Sequence, residues 1–591
     1  MREINLTSEA NYDALDWLPE NTPYVEVDPK TIKIIETPKE FYEKLLCLIR
    51  EAKERIVISA LYLGNGSYEE ALVDELEKAL DRNPNLKISI LFDCLRCTRG
   101  GAESGSILLL KRLAHRASVY LFHTPSLRGL KKMVLPEKVN EVIGLQHMKL
   151  LVFDSHIIFT GIWKRPKKFC GEENSRLSTV EEITLHQHEN SIVMMVTSAN
   201  LSSIYFTNRL DRYILIENCL QLANFVDSLV EAIGSCSFIL NMQGTISLAK
   251  DAIFILLKSM LHSRVAITLN AFSKESDSKG NSATGTRIYP LLQMGIISIN
   301  QEFEFLKNLL SLQNHELSLT LSSGYFNFTD SYTDLVANQN CFEMDIVYGS
   351  PQANGFYQAS GLFGFIPLMY VYISHLFYKI IGRNIHLFEY NKPGWSYHVK
   401  GLWINSKQLP YIATMIGSSN FGHRSVHRDL EAQFFIITCN EKLKLSLQEE
   451  RSRILNYATK VDAEIFSRYD HFSCFDGIIG TKGASPAASS LHLSRRNRTQ
   501  RRSMMYHGFK HTKNVYETRE LLQRLERCSS RHLTSRTTSA PSSNSLDELL
   551  KDEIWKEVLN LSMFNAELLD QERATILFGD ISGFSSSLKE K

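Results

Sequence analysis

Two histidine–lysine pairs carry the chemical interest of this chain: His147 and Lys149 in QHMKLLVFD, and His398 and Lys400 in YHVKGLWIN. Each reads as His–x–Lys at the opening of a strand, where residues two apart project from one face. An imidazole can attack phosphorus, and an ammonium beside it neutralises the non-bridging oxygens. A single such pair is weak grounds for function, because a core histidine satisfied by its neighbours explains it equally well. Here the pair recurs in matching company. SANLSSIYFTNRLDRYILI follows the first pair from Ser198, and SSNFGHRSVHRDLEAQFFII follows the second from Ser418. Asn200 precedes Asp211 by eleven residues, and Asn420 precedes Glu431 by eleven. Order, residue type and spacing all repeat, which marks an internal duplication. Two such lobes can bring two imidazoles to one phosphate, one as nucleophile and the other as general acid and base. Asn200 and Asn420 can donate to the phosphate oxygens, while Asp211 and Glu431 can each hold an imidazole in the required tautomer.

The elements that must position these groups alternate along the chain. Predicted strands at 55–64, 86–94, 119–123 and 148–160 are separated by amphipathic stretches such as 38–54 and 68–81. The second half repeats the pattern with strands at 317–328, 343–349, 384–390, 398–405, 412–417 and 433–438. The expected fold is therefore α/β, with mixed sheets flanked by helices. Four regions are predicted: an N-terminal segment 1–32, a first lobe 33–235, a second lobe 236–475, and a tail 476–591 that is mostly disordered with one short helix.

The first motif, His147–x–Lys149–x4–Asp154, resembles the HxKxxxxD signature of the phospholipase D superfamily. Within it the chain is similar to the eukaryotic-type phosphatidylglycerophosphate synthases. The residues behind that narrower similarity are SALYLGNG at Ser59–Gly66, TPSLRGL at Thr124–Leu130, IGLQHMK at Ile143–Lys149, YFTNRLDRY at Tyr205–Tyr213, SGYFNFT at Ser323–Thr329 and GSSNFGHRSVHRDLEAQ at Gly417–Gln433. The similarity covers roughly residues 33–475. It implies two pseudo-twofold-related lobes with the active site at their interface. The implied reaction passes the phosphatidyl group of CDP-diacylglycerol to sn-glycerol 3-phosphate through a phosphatidyl-histidine, releasing CMP. Lys149, Lys400, Asn200 and Asn420 would bind the phosphate in transfer, and Asp154 would support its strand. No metal is needed for bond breaking, although divalent ions could assist through lipid or nucleotide. A membrane surface is the expected partner, the mitochondrial inner membrane the expected location, and no nucleic acid is expected.

Some features depart from that pattern. Asn405 stands where the second motif wants Asp. Between Gly161 and Ala199 the chain carries residues 162–198, polar and without clear periodicity, which points first to a retained intron and second to an added surface loop. An acceptor with its own phosphate needs further cations, for which Arg96, Arg99 and Arg128 qualify by charge and loop placement. Gly64 and Gly66 after a strand could approach a nucleotide phosphate, as a tight turn could equally explain. Three alternatives stay open: a phosphatidylserine synthase of the same superfamily, a nuclease, and an inactive lipid-binding relative if the insert disrupts the first lobe.

Composition sets the outer limits. With 44% hydrophobic and 22% charged residues, whole-chain disorder, collagen and a polytopic membrane protein are excluded. The net charge of +1 hides a basic stretch at 481–540, ten Arg and three Lys against three Glu, read as a solvated linker. The acidic remainder argues against a nuclease groove. Ten cysteines without a paired framework fit a reducing compartment, and Cys94–x–x–Cys97 reads as two small residues closing a buried strand. The first thirty residues hold seven acids against Arg2 and Lys30, unlike an import presequence. The apolar stretch 361–378 reads first as a buried helix with an aromatic flank, then as a lipid-facing helix, and last as a span.

Overall fold

A computed structural model describes residues 18, 22–99, 105–127, 140–156, 190–249, 252, 256–277, 285–313, 317–359, 364, 366–406 and 410–467. Residues 355 and below, with 382–459, form one compact unit that holds both lobes, while 356–381 group with residues from 460 onward in a second.

Two sheets carry the same plan twice. In the first, Ser118–Phe122, Lys87–Asp93 and Arg55–Ser59 pair in parallel, and Leu150–His156, Asn190–Thr197, Tyr213–Glu217 and Ile32–Ile35 then continue antiparallel. In the second, Ile385–Tyr390, Glu343–Gly349 and Leu317–Ser323 are parallel, followed antiparallel by Gly401–Ser406, Ile412–Gly417, Glu431–Thr438 and Thr286–Met294. Strand order and direction match position by position, so the duplication seen in the motifs extends to the whole topology. Helices such as Pro38–Glu51, with Thr37 capping the Glu40 N–H at 3.1 Å, cover the faces. The expected α/β class with mixed sheets is what the chain adopts.

Two boundaries differ from the sequence expectation. The first sheet continues past 235, because Phe238–Leu240 and Ile246–Leu248 add to its edge beside Ser118–Phe122. Val25–Glu26, from the predicted N-terminal segment, pairs with Arg287 and Ile288 of the second sheet.

The stretch 162–198 also needs correction. Its end, Asn190–Thr197, is a core strand: Val193, Met194, Met195 and Val196 are each at most 2% exposed. Both faces are covered, so the run is continuously apolar and shows no strand alternation to betray it. The added residues thus enter between Leu150–His156 and Asn190–Thr197, two paired strands whose counterparts are Gly401–Ser406 and Ile412–Gly417. Residues 157–189 lie outside the described ones.

The lobes are fastened by a buried arginine. Arg212 reaches from the first lobe to Glu450 (2.6 and 2.9 Å), Thr414 Oγ1 (2.9 Å) and the Met415 carbonyl (2.8 Å), its guanidinium 4.0 Å over the Trp403 ring. Gly401 makes room for it, since a Cβ there would stand 2.2 Å from Arg212 Nη1.

In the second unit, Ile366–Tyr378 is helical, with His375 edge-on and Tyr378 tilted against Phe466 at 4.7 and 5.3 Å. Pro367, Met369, Val371, Tyr372 and Phe377 are buried, in keeping with the aromatic-flanked buried helix. Among the described residues no helix is long and apolar enough to cross a membrane. The tail beyond 467, with its predicted short helix, lies outside the described residues.

Candidate active site

Each His–x–Lys segment crosses to the opposite lobe. The two segments stop short of the strands Leu150–His156 and Gly401–Ser406 instead of opening them. The His147 N–H donates to the Leu430 carbonyl (2.9 Å), and the His398 N–H to that of Leu210 (3.0 Å). Leu210 and Leu430 occupy equivalent places in the repeat, one residue before Asp211 and Glu431. The carboxylates therefore meet the histidine of the other lobe: His147 Nδ1 lies 2.9 and 3.0 Å from the Glu431 oxygens, and His398 Nδ1 lies 2.8 Å from Asp211 Oδ1. Ser425 donates to Glu431 (2.8 Å) and Ser198 to Asp211 (2.7 Å), which hold the carboxylates in turn. With Nδ1–H given to a carboxylate, each ring carries its lone pair on Nε2.

Lys149 and Lys400 fold back onto the backbone carbonyls of His147 (2.6 Å) and His398 (2.9 Å). Lys400 Nζ also lies 2.9 Å from His398 Nε2. Asn200 is buried, donating to Tyr205 Oη at 2.8 Å, and the Oδ1 atoms of both Asn200 and Asn420 are buried without a hydrogen-bond partner. Buried polar atoms are ordinarily satisfied, so these mark where a ligand's groups would complete the site. The insert has left Asn200 in register with Asn420.

Burial shapes the charges. It pushes His147 down to about 4, with Lys149 helping and the Glu431 carboxylate resisting. Burial, then Lys400, Arg209 and Lys149, push His398 well below the ordinary imidazole range. Burial likewise lowers Lys149 to about 8 and Lys400 well below its usual value. Burial would raise Glu431, but His147 and then Lys149 hold it down to about 2; Asp211 is raised by burial to about 6, with Lys400 opposing. Neutral imidazoles beside desolvated ammoniums make a site that gains by taking up phosphate.

The remaining sequence candidates fall elsewhere. Asp154 closes the far end of its strand on Arg55 (2.6 Å), which also holds Asp227 (2.6 Å); it is a strut, remote from the imidazoles. Its counterpart Asn405 lies in the equivalent strand. Gly64 and Gly66 do not cradle a nucleotide phosphate: a Cβ on either would meet the Glu69 carboxylate and Ser202 or Ser203 within 3 Å, so an anion already fills that space. Arg96 (3.3 Å) and Arg99 both pair with Glu141, so neither is the free cation expected of it. Arg128 lies outside the described residues. Cys94 and Cys97 are buried in a short helix directly after a strand, and among the described residues no three His, Cys, Asp or Glu side chains are grouped to hold a metal ion.

Sequence reasoning missed Tyr205, Tyr325 and Arg209. The two tyrosine rings stand edge-on to His398 at 5.2 and 5.9 Å, and Arg209 lies 4.6 Å over the Tyr205 ring. All three sit inside quoted motifs; setting the two repeat blocks side by side and asking where they differ would have found Tyr205 and Arg209.

No protein-family profile matches the chain. It is 34% identical over 498 residues to the mitochondrial CDP-diacylglycerol–glycerol-3-phosphate 3-phosphatidyltransferase of Gallus gallus, spanning 76% of this chain and 82% of that one. The Homo sapiens protein of the same name matches at 34% over 494 residues with the same coverage. A probable enzyme of that name from Dictyostelium discoideum matches at 34% over 479 residues, 76% of each chain. Among solved structures, a phosphatidylserine synthase of Haemophilus influenzae superposes with a TM-score of 0.53 at 18% identity, covering 80% of this chain and 98% of that one. That likeness speaks for the fold alone.

Proposed function

Because the chain belongs to the CDP-diacylglycerol–glycerol-3-phosphate 3-phosphatidyltransferase family, we propose that the crossed histidines of its two lobes carry the transfer as a double displacement. The chain passes the phosphatidyl group of CDP-diacylglycerol to sn-glycerol 3-phosphate, giving phosphatidylglycerophosphate and CMP. The observation that supports two histidines acting together is their crossed pairing, His147 on Glu431 and His398 on Asp211.

His147 Nε2 attacks the phosphorus bearing diacylglycerol. The bond to the bridging oxygen breaks, and His398 gives CMP its proton. His398 is proton-poor before substrate arrives, because burial and then Lys400, Arg209 and Lys149 disfavour its charged form. The diphosphate of the donor offsets those cations, so the ring gains its proton with the substrate. Neutral His398 then removes the proton from the acceptor 1-hydroxyl, whose oxygen attacks the phosphatidyl-histidine and frees His147. Lys149 and Lys400 balance charge on the transferring phosphate. A half-turn of the Asn200 amide, with Tyr205 donating in exchange, would aim its NH2 at the same oxygens.

The diacyl donor implies work at a membrane surface. The relatives named mitochondrial support that compartment, and we assign the chemistry to its inner membrane. Purified protein should release CMP with parallel reciprocal plots when both substrates are varied, and L-serine should not replace sn-glycerol 3-phosphate. Intersecting plots, with no CMP exchange in the absence of acceptor, would contradict the double displacement.

A further inference from the structure

The two halves of the site differ where the repeat blocks differ. Aligned on their asparagines, the blocks set Arg209 opposite Asp429 and Tyr205 opposite Ser425. Arg209 is only 7% exposed. Its Nε donates to Ser396 Oγ at 2.9 Å and its Cζ lies over the Tyr205 ring, yet among the described residues no carboxylate lies within ion-pair distance of it. Arg212, buried to a similar degree, has Glu450 at 2.6 Å. Asp211, the carboxylate whose charge reaches Arg209, is already engaged by His398 and Ser198, so burying this guanidinium is unfavourable unless a further anion arrives with a ligand. Gly355 packs closely against this side, since a Cβ there would stand 2.6 Å from Arg209 Nη2 and 2.8 Å from Tyr325 Oη. The other half is opposite in character. Asp429 accepts the Leu145 N–H at 2.9 Å and pairs with Arg424 at 3.1 Å, so carboxylates flank His147.

We propose that Arg209 binds the phosphate dianion of the acceptor, sn-glycerol 3-phosphate, on the His398 side of the site. The proposal rests on the transfer reaction given above and deepens it. A guanidinium fork matches a phosphate dianion with two parallel hydrogen bonds. An acceptor anchored there presents its hydroxyl to His398, which leaves His147 to hold the phosphatidyl group. It also separates this chain from a synthase that uses serine, whose acceptor carries no phosphate for Arg209 to meet.

The test is steady-state kinetics of Arg209→Gln and Arg209→Lys in the full chain, with acceptor-independent exchange of labelled CMP into CDP-diacylglycerol measured alongside. For Arg209→Gln the KM for sn-glycerol 3-phosphate should rise by about 100-fold or more. The preference for sn-glycerol 3-phosphate over glycerol should fall by the same factor, and CMP exchange should fall much less than transfer does. Arg209→Lys should fall between the two. An unchanged acceptor KM, or exchange lost as deeply as transfer, overturns the proposal, the latter by assigning Arg209 to the donor diphosphate. Wild-type protein that never transfers to sn-glycerol 3-phosphate would instead defeat the reaction itself. If neither variant folds, phenylglyoxal modification of the wild type, read by mass spectrometry, decides: protection of Arg209 by sn-glycerol 3-phosphate supports the site, and its absence overturns it.

Discussion

Replacing His147 with alanine should lower phosphatidylglycerophosphate formation by at least about 10^5-fold, and His398→Ala should do the same. The two losses arise differently. Without His147 there is no atom to accept the phosphatidyl group, so CMP exchange in the absence of acceptor disappears with the overall reaction. Without His398 the nucleophile remains, but the leaving group and the acceptor hydroxyl lose their proton carrier. The double variant should be hardly worse than either single one, because groups that act as a unit are not additive. Truncating His147 also strands the buried Glu431 carboxylate, so His147→Asn, which keeps a donor toward it, is the control for folding. Retention of more than about a hundredth of the activity in folded His147→Asn would remove the assignment.

Glu431→Gln should cost about 10^3–10^4-fold in kcat with little change in either KM. The amide offers the His147 ring a donor as readily as an acceptor, and the tautomer with a free Nε2 lone pair is no longer enforced. Raising the pH cannot restore the loss. His147 already sits at about 4, and removing Glu431, the one large influence that raises it, can only lower it further. The linkage to stability has a definite sign. The folded-state value of His147, about 4, lies below the unfolded imidazole value of about 6.5, so the unfolded chain takes the proton first on acidification. Stability is full above pH ~6.5 and is lost as the pH falls toward 4. Glu431, held to about 2 in the fold, adds a second loss as the pH falls from about 4.3 toward 2. That lower window should vanish from the unfolding profile of Glu431→Gln, whereas a purely structural role for the carboxylate would leave activity within a few-fold of the wild type.

The twin motifs and most strands were legible because duplication writes the same periodicity and the same residue order twice. Three things were not. Spacing along the chain says nothing about which lobe a carboxylate faces, so the exchange of Asp211 and Glu431 across the interface emerges only from Leu210 and Leu430 pairing with the opposite His–x–Lys segment. The strand Asn190–Thr197 hid in a polar window because a strand covered on both faces does not alternate. Arginines judged by charge alone misled: Arg96 and Arg99 look available in the sequence but meet Glu141, while Arg209, unnoticed in YFTNRLDRY, lies buried with no such partner among the described residues. Gly64 and Gly66 failed for a similar reason, since the feature that demands a missing Cβ is the neighbouring Glu69, not a ligand.

The central claim is that one imidazole, from the first lobe, carries the phosphatidyl group while the other moves protons. It is tested most directly by mixing the protein with CDP-diacylglycerol labelled at the diacylglycerol phosphorus, without acceptor, quenching in base and mapping the labelled peptide. Label on the peptide containing His147, chased by sn-glycerol 3-phosphate, is the predicted result. Label on the His398 peptide, or rapid CMP release with no labelled histidine at all, would contradict it.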